Sequence, residues 1–321
     1  MRSLKKILFG LVLGTSAHLA QAFPDKQVVI VVPFPAGGVT DVQSRVVAER
    51  LAERWGKPVI VENRVGAGGT IGTGYVLRQP ADGHTILMQS PAVMISAELL
   101  RDNAGYRSAE DFVAFTDAFA SPVVLVASGG TSARNARDFF EEARKAGNFS
   151  FASHGYGSST QYIGERLKIE AKVPLIHVPM AGESQMVTNL IGGHVTTAFM
   201  SASGAKKALD SGSAWLVAVT GTSRWPAFPQ VPTFRELGLS KMDRMTGAKY
   251  FVRKGTPPEL IQRLSADFAL AIKDPKSAEA TKALGVTPAT STPEKASQDL
   301  SAELAEWKES IREFGNLTNA K

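Results

Sequence analysis

Short apolar runs alternate with helical repeats along most of the chain. Residues 27–33 (QVVIVVP) form a nearly continuous β-branched run, which predicts a strand buried on both faces. Val42, Val47, Leu51 and Trp55 then recur at roughly helical spacing, from a start near Thr40 to a stop at Gly56. Residues 58–62 predict a second strand. A glycine-rich turn at 66–69 leads into a helix through Tyr75, Val76 and Leu77, and residues 84–89 (HTILMQ) follow the Asp82-Gly83 turn as a third strand. This βαβαβ rhythm predicts a parallel sheet with right-handed crossovers.

The rhythm restarts at 123–128 (VVLVAS), a strand, with a helix over 133–146 behind it. A strand at 149–153, a helix over 160–171, a strand at 174–178 and a helix over 183–191 come next. Gly192-Gly193 closes that helix, and 195–199 and 215–220 read as two more strands. Leu300, Leu304, Trp307, Ile311 and Phe314 line one face of a long C-terminal helix. The fold class is therefore α/β, in two units, and 321 residues is more than one ordinary core holds. The boundaries fall near Ser121-Pro122 and Gly238. Residues 23–122 begin one domain, 123–237 form the other, and 238–321 return to the first and add C-terminal helices.

Composition narrows the function. The absence of cysteine excludes disulfides, thiolate metal sites, thiol catalysis and a lipidated N-terminal cysteine. Arg2, Lys5 and Lys6 precede the apolar stretch 7–20, and Ala20-Gln21-Ala22 places small residues at a cleavage site. Residues 1–22 thus read as a signal peptide removed before Phe23, which predicts export to the periplasm. The formal charge of +6 then falls to 6 − 3 = +3, too weak and too dispersed for a nucleic-acid partner.

Two loops carry the candidate chemistry. The first, 33–41 (PFPAGGVTD), follows a strand and opens a helix at the carboxyl edge of a sheet, where α/β proteins place ligands. Gly37 and Gly38 permit close backbone approach, and Thr40 with Gln43 fits a capping box. The free N–H groups and partial positive charge of a helix start suit an anion, although a plain capped turn satisfies the same pattern. The second loop, 153–161 (SHGYGSSTQ), repeats the design, with Ser158 and Gln161 as the capping box. One such loop per domain would clamp one anionic molecule across a cleft.

Familiar catalytic patterns are missing. Ile71 stands where a third Rossmann glycine belongs, and there is no Walker loop, G-x-S-x-G elbow or H-E-x-x-H pair. His84, His154, His177 and His194 lack metal-ligand spacing. His84 and His177 read as ordinary, partly buried residues, whereas His154 lies inside an anion-type loop.

The run Pro33-Phe34-x-x-Gly37-Gly38-x-Thr40-Asp41-x-x-x-Arg45 resembles the signature of the Bug proteins, the TctC-like extracytoplasmic solute receptors of tripartite tricarboxylate transporters. The resemblance continues through Val61-Glu62-Asn63-Arg64-x-Gly66-Ala67-Gly68-Gly69, Phe151-Ala152-Ser153-x-Gly155-x-Gly157-Ser158, His177-Val178-Pro179, Leu190-Ile191-Gly192-Gly193 and Glu303-x-x-x-Trp307. It implies a periplasmic-binding-protein type II fold: two α/β domains around a cleft, joined by two crossover connections. It also implies a small carboxylate as ligand, held largely by backbone groups of the two loops.

On that basis one jaw comprises Phe34, Ala36, Gly38, Thr40 and Asp41, and the other Ser153, His154, Gly155, Ser158, Ser159 and Thr160. Asp41 is expected to order its own loop, since a carboxylate facing an anion would repel it. The family's usual Tyr-Lys-Gly after Pro179 is Met180-Ala181-Gly182 here, its Asp after Phe199 is Met200, and its Trp before Gly247 is Met245. Met180, Met200 and Met245 are expected to line a softer, less polar pocket. With no acid at 200, a carboxylate lacking an amino group is expected to bind best. The expected partners are that small carboxylate and membrane transporter subunits, with the protein a monomer, no cofactor, no metal and no catalytic residue. A receptor for a sensor protein, and an exported acid–base enzyme using His154 and Asp41, remain the alternative readings.

Overall fold

The computed structural model describes residues 23–101 and 104–315; the signal peptide reading of 1–22 lies outside them. The chain begins with β1 (Val28–Val32), α1 (Val39–Trp55), β2 (Val59–Asn63), α2 (Thr70–Leu77), β3 (Thr85–Gln89), α3 (Pro91–Leu100), α4 (Ser108–Asp111) and β4 (Phe112–Ser121). It continues with β5 (Val124–Ser128), α5 (Ala136–Ala146), β6 (Ser150–Ser153), α6 (Ser159–Glu170), β7 (Ile176–Pro179), α7 (Glu183–Ile191), β8 (Thr197–Met200), α8 (Ala202–Asp210) and β9 (Ala214–Val219). Last come β10 (Thr246–Arg253), α9 (Pro258–Lys273), α10 (Pro275–Ala283), β11 (Thr287–Pro288) and α11 (Pro293–Phe314).

The strands form two sheets, a 6-stranded one in the order β11-β4-β10-β3-β1-β2 and a 5-stranded one in the order β7-β6-β8-β5-β9. Strands of the first sheet come only from 23–122 and 238–321, those of the second only from 123–237. Neither sheet is wholly parallel. β1 runs parallel to β2 and β3, but β10 is antiparallel to β3 and β4. In the second sheet β6 is parallel to β7 and β8, while β5 is antiparallel to β8 and β9. The antiparallel members are the strands that carry the chain between sheets. β4 leads into β5 across Ser121-Pro122-Val123, and the chain after β9 returns to β10. Thr246 Oγ1 donates to Ser121 O (3.1 Å), and Val123 N donates to Thr220 Oγ1 (2.9 Å), so the two crossings are laced together.

The apolar run of β1 is buried on both faces because helices cover both. On one face Ile30, Ile86, Phe115 and Tyr250 of the sheet pack beneath α1, α9 and α10, and Phe268 reaches them from α9. On the other, Val31, Leu87 and Phe251 join a core that continues into the second sheet through Leu125, Phe151 and Phe199. Trp307 of α11 belongs to that continuous core, and its ring lies 4.8 Å from that of Tyr162 on α6. Arg166 of α6 donates to Ser310 Oγ (2.8 Å) and Glu313 Oε2 (2.9 Å), so α11 ties the second sheet's α6 to the first sheet. Among the described residues no helix is long and apolar enough to cross a membrane.

Phe268 is fully buried, with ring centroids 4.6 Å from Tyr250 and 5.1 Å from Phe115. Phe268→Ala is expected to destabilise the fold by about 3–5 kcal/mol, since the cavity cannot collapse between two rigid rings. Urea titration followed by far-UV circular dichroism reads this directly, and an unchanged midpoint would refute the packing described.

Candidate functional site

The first loop is held by the residue expected to hold it. Asp41 is 2% exposed. Its carboxylate accepts from Gly37 N (2.9 Å), Arg45 Nε (3.1 Å) and Asn63 Nδ2 (2.9 Å), and Asn63 also donates to Phe34 O (3.0 Å). Burial pushes the Asp41 carboxyl up, but the bonds from Arg45, Gly37 and Asn63 outweigh it and leave the carboxyl below its usual range. Ala36 and Gly38 are exposed, and Phe34 and Thr40 are half-buried.

The Thr40–Gln43 capping box does not form. Gly38 is the cap of α1, without a side-chain bond, and Thr40 already lies inside the helix. Gln43 is drawn into the core instead, where its Oε1 accepts from Tyr250 Oη (2.7 Å). Asp41, three residues past the cap, takes over the reach-back role of a capping box.

The second loop repeats this device. Ser158 caps α6 by accepting from Gln161 N (3.2 Å), and Gln161 Oε1 accepts from Gly157 N (2.7 Å). Gly37 (φ +85°) and Gly157 (φ +73°) both adopt the left-handed conformation that favours glycine. Other donors of this loop are turned inward: His154 N to Thr160 Oγ1 (3.0 Å) and Gly155 N to Ser153 Oγ (3.1 Å). What remains for an outside acceptor is the first turn of α6, the N–H groups of Ser159 and Thr160.

Three further groups shape the surroundings of the loops, the first of them the partly buried histidine expected in β7. His177 is half-buried, its Nε2 lies 2.7 Å from Ser153 Oγ, and its ring stacks on Phe151 at 4.9 Å. Burial, helped by the positive charge of Lys168, pushes its pKa down to about 4, so it is a neutral hydrogen-bonding strut at physiological pH. Glu183, at the start of α7, accepts from Ser201 N (2.9 Å) and Ser201 Oγ (2.8 Å), with its other oxygen 3.4 Å from His154 Nε2. Burial raises its pKa, but the bonds from His154 and Ser201 prevail and leave it below the usual value. The third is α3, opened by Ser90-Pro91, a cap-plus-proline start visible in the sequence. It leaves the carboxyl end of β3, and at its far end Arg101 reaches the turn after β2, donating to Ala67 O (2.8 Å).

Leu100, at the far end of α3, also meets the second loop: a Cβ on Gly157 would lie 3.2 Å from Leu100 Cδ1, so α3 of the first unit reaches that loop. A cavity of about 780 Å³ lies beside this junction, lined by the starts of α3 (Ser90, Pro91) and α6 (Ser159) and by Thr246 and Gly247 of the crossing strand. Of the thirteen expected ligand residues only Ser159 lines it. Its charged wall is compensated: Arg244 pairs with Glu303 (3.0 Å), and Lys249 pairs with Asp117.

Met180 and Met200 pack in the second sheet's core, 8% and 0% exposed, beneath the loops and not at their surface. Met245 is exposed and lines the cavity. Asp41 and His154, the pair an acid–base enzyme would need, belong to separate networks, one closed by Arg45 and the other by Thr160 and Glu183.

Asp41→Asn is expected to cost about 2 kcal/mol at neutral pH, the worth of a buried charge-assisted bond. Because the carboxyl sits below its ordinary value of 3.8, its contribution is complete above that value and disappears as pH falls through the lower folded one. The gap between wild type and variant should therefore narrow as pH falls below 3.8. A gap that stays constant in urea titrations across this range would count against the network.

Residues 43–316 match the family model TctC, described as the tripartite tricarboxylate transporter family receptor. The chain is 34% identical over 317 residues to a UPF0065 protein in the tcbD-tcbE intergenic region of a Pseudomonas species, covering 97% of this chain and 94% of that one. It is 30% identical to protein BugT of Bordetella pertussis, covering 92% and 91%. Among solved structures it is similar to the periplasmic binding protein BugD, with a TM-score of 0.72, 29% identity, and 91% and 99% of the two chains covered. Rpa4515 of R. palustris with adipate gives a TM-score of 0.74 at 27% identity, covering 90% and 97%. MatC of Rhodopseudomonas palustris with bound malate gives 0.70 at 27%, covering 90% and 100%. With these matches running the length of both sheets and both loops, the chain belongs to the TctC family of solute-binding receptors.

Proposed function

We propose that the protein is an exported receptor that captures a small carboxylate between the carboxyl edges of its two sheets and delivers it to the membrane subunits of a tripartite transporter. One observation carries this reading. Each sheet presents, at its carboxyl edge, a helix start whose preceding glycine is locked to the side chain three residues past the cap. Such starts offer N–H donors and a partial positive charge, and at α6 the locking side chain is the neutral Gln161, which leaves no competing counter-ion there. Of the thirteen residues named from the sequence, Met180 and Met200 lie in the core beneath the loops; the other eleven remain the proposed site, with Ser159 and Thr160 as the N–H donors and Asp41 and Ser158 as the groups that shape the loops. The adipate and malate held by two structural neighbours agree with a carboxylate ligand. The two domains divide at 122/123 and 237/238, and closure bends the two crossings between them.

A thermal-shift screen of mono- and dicarboxylates beside neutral sugars tests the ligand class. A carboxylate at a hundredfold excess over its dissociation constant should add about 2.7 kcal/mol to stability. Stabilisation by sugars and by no carboxylate would end the reading. Export predicts a mature chain that starts at Phe23, and an intact mass that retains residues 1–22 in the exported protein would contradict it.

A further inference from the structure

We propose that Glu183 selects the ligand class, by occupying the anion position at the head of α8 and requiring that the ligand's far end carry no negative charge. This rests on the cleft being a carboxylate site. β6, β7 and β8 run parallel side by side, so His154, Glu183 and Ser201 all stand at the carboxyl ends of neighbouring strands. Glu183 joins the three: one oxygen on the backbone N–H and hydroxyl of Ser201, the other near His154 of the second loop.

The fit is specific to this chain's residues. Ser201 caps α8, and the residue three beyond it is Gly204, which has no side chain to reach back to the loop. The Glu183 carboxylate fills that place from outside. A Cβ on Gly204 would lie 1.7 Å from Glu183 Oε1, so glycine is what admits it. The side chain is 28% exposed, and its second oxygen has only the 3.4 Å contact with His154, which leaves it open to a donor from a ligand. A second carboxylate on the ligand would meet this charge and be repelled. A methyl end would be tolerated, and an ammonium or hydroxyl end would find an acceptor. The acid that Met200 does not provide is thus present one loop away, which reverses the expectation that an amino group weakens binding.

Calorimetry with three five-carbon ligands, valerate, 5-aminovalerate and glutarate, tests this on the mature protein. Wild type should bind glutarate about tenfold more weakly than valerate, a difference of about 1.4 kcal/mol, and 5-aminovalerate at least as tightly as valerate. Glu183→Gln keeps the shape and can still accept from Ser201, so it should stay folded, with a melting temperature somewhat below that of wild type because a charge-assisted bond is lost. It should strengthen glutarate about tenfold, weaken 5-aminovalerate and leave valerate unchanged. Gly204→Ala, which evicts the carboxylate, should shift glutarate and 5-aminovalerate the same way. Glutarate binding wild type as tightly as valerate, or either variant shifting all three ligands equally, overturns the inference. Failure of all three ligands to bind either protein, while a sugar does, overturns the carboxylate reading beneath it.

Discussion

Three turns at the carboxyl edges of the sheets each hang on one hydrogen bond, from the backbone N–H just ahead of a helix cap to the side chain three residues beyond the cap. Gly37 N to Asp41, Gly157 N to Gln161 and Ala181 N to Gln185 Oε1 (2.8 Å) are the same bond in three turns. The bond matters because it engages a donor that would otherwise compete for the ligand, and it fixes the turn without covering the first helical N–H groups. A turn already ordered loses less conformational freedom when it binds. The glycines ahead of α1 and α6 follow from this, since the bond brings the chain through a left-handed conformation at Gly37 and Gly157.

These turns are useful only if two sheets hold them opposite one another and can still move. The two crossings supply the flexible link, while α11 limits its freedom. α11 lies on the first sheet through Leu300 and Trp307 and grips α6 through Tyr162 and Arg166. Since Ser158 at the head of α6 shapes the second loop, α11 reaches that loop through a single rigid helix. The paired charges beside the cavity serve the same end, because Arg244 and Lys249 are already matched to Glu303 and Asp117 and offer the ligand no rival unpaired cation.

Much of this was legible in the chain. Runs such as 27–33 and 84–89 announced buried strands because helices cover both faces of the sheet, and the helix over 183–191 was read with the bounds that α7 has. Of the strands at the crossings, β5 and β9 were legible, at 123–128 and 215–220, but β4 and β10 were not. β4 and β10 take their order from pairing with each other across most of the sequence, and long-range pairing leaves no local period to read. At the site, Ser158 was legible because its cap is a local bond. Thr40 was misread because the same local pattern lost to a distant partner, when Tyr250 drew Gln43 into the core. Ser90-Pro91 was a visible signal passed over, whereas nothing near Glu183 in the sequence points to Ser201.

That last case explains why the second sheet's edge is electrically uneven. A turn whose helix has glycine three residues past the cap cannot lock itself, and α8 is such a helix. The missing group must come from another loop, and here it is a full carboxylate placed beside a helix start worth about half a positive charge. The head of α8 is therefore more than neutralised, while the head of α6, locked by the neutral Gln161, keeps its positive end open. In the proposed site that difference would orient a ligand lying between them, its carboxylate at Ser159 and Thr160 and its opposite end toward Glu183. Polarity along the edge thus arises from which turns can satisfy their own backbone and which must borrow a charge to do so.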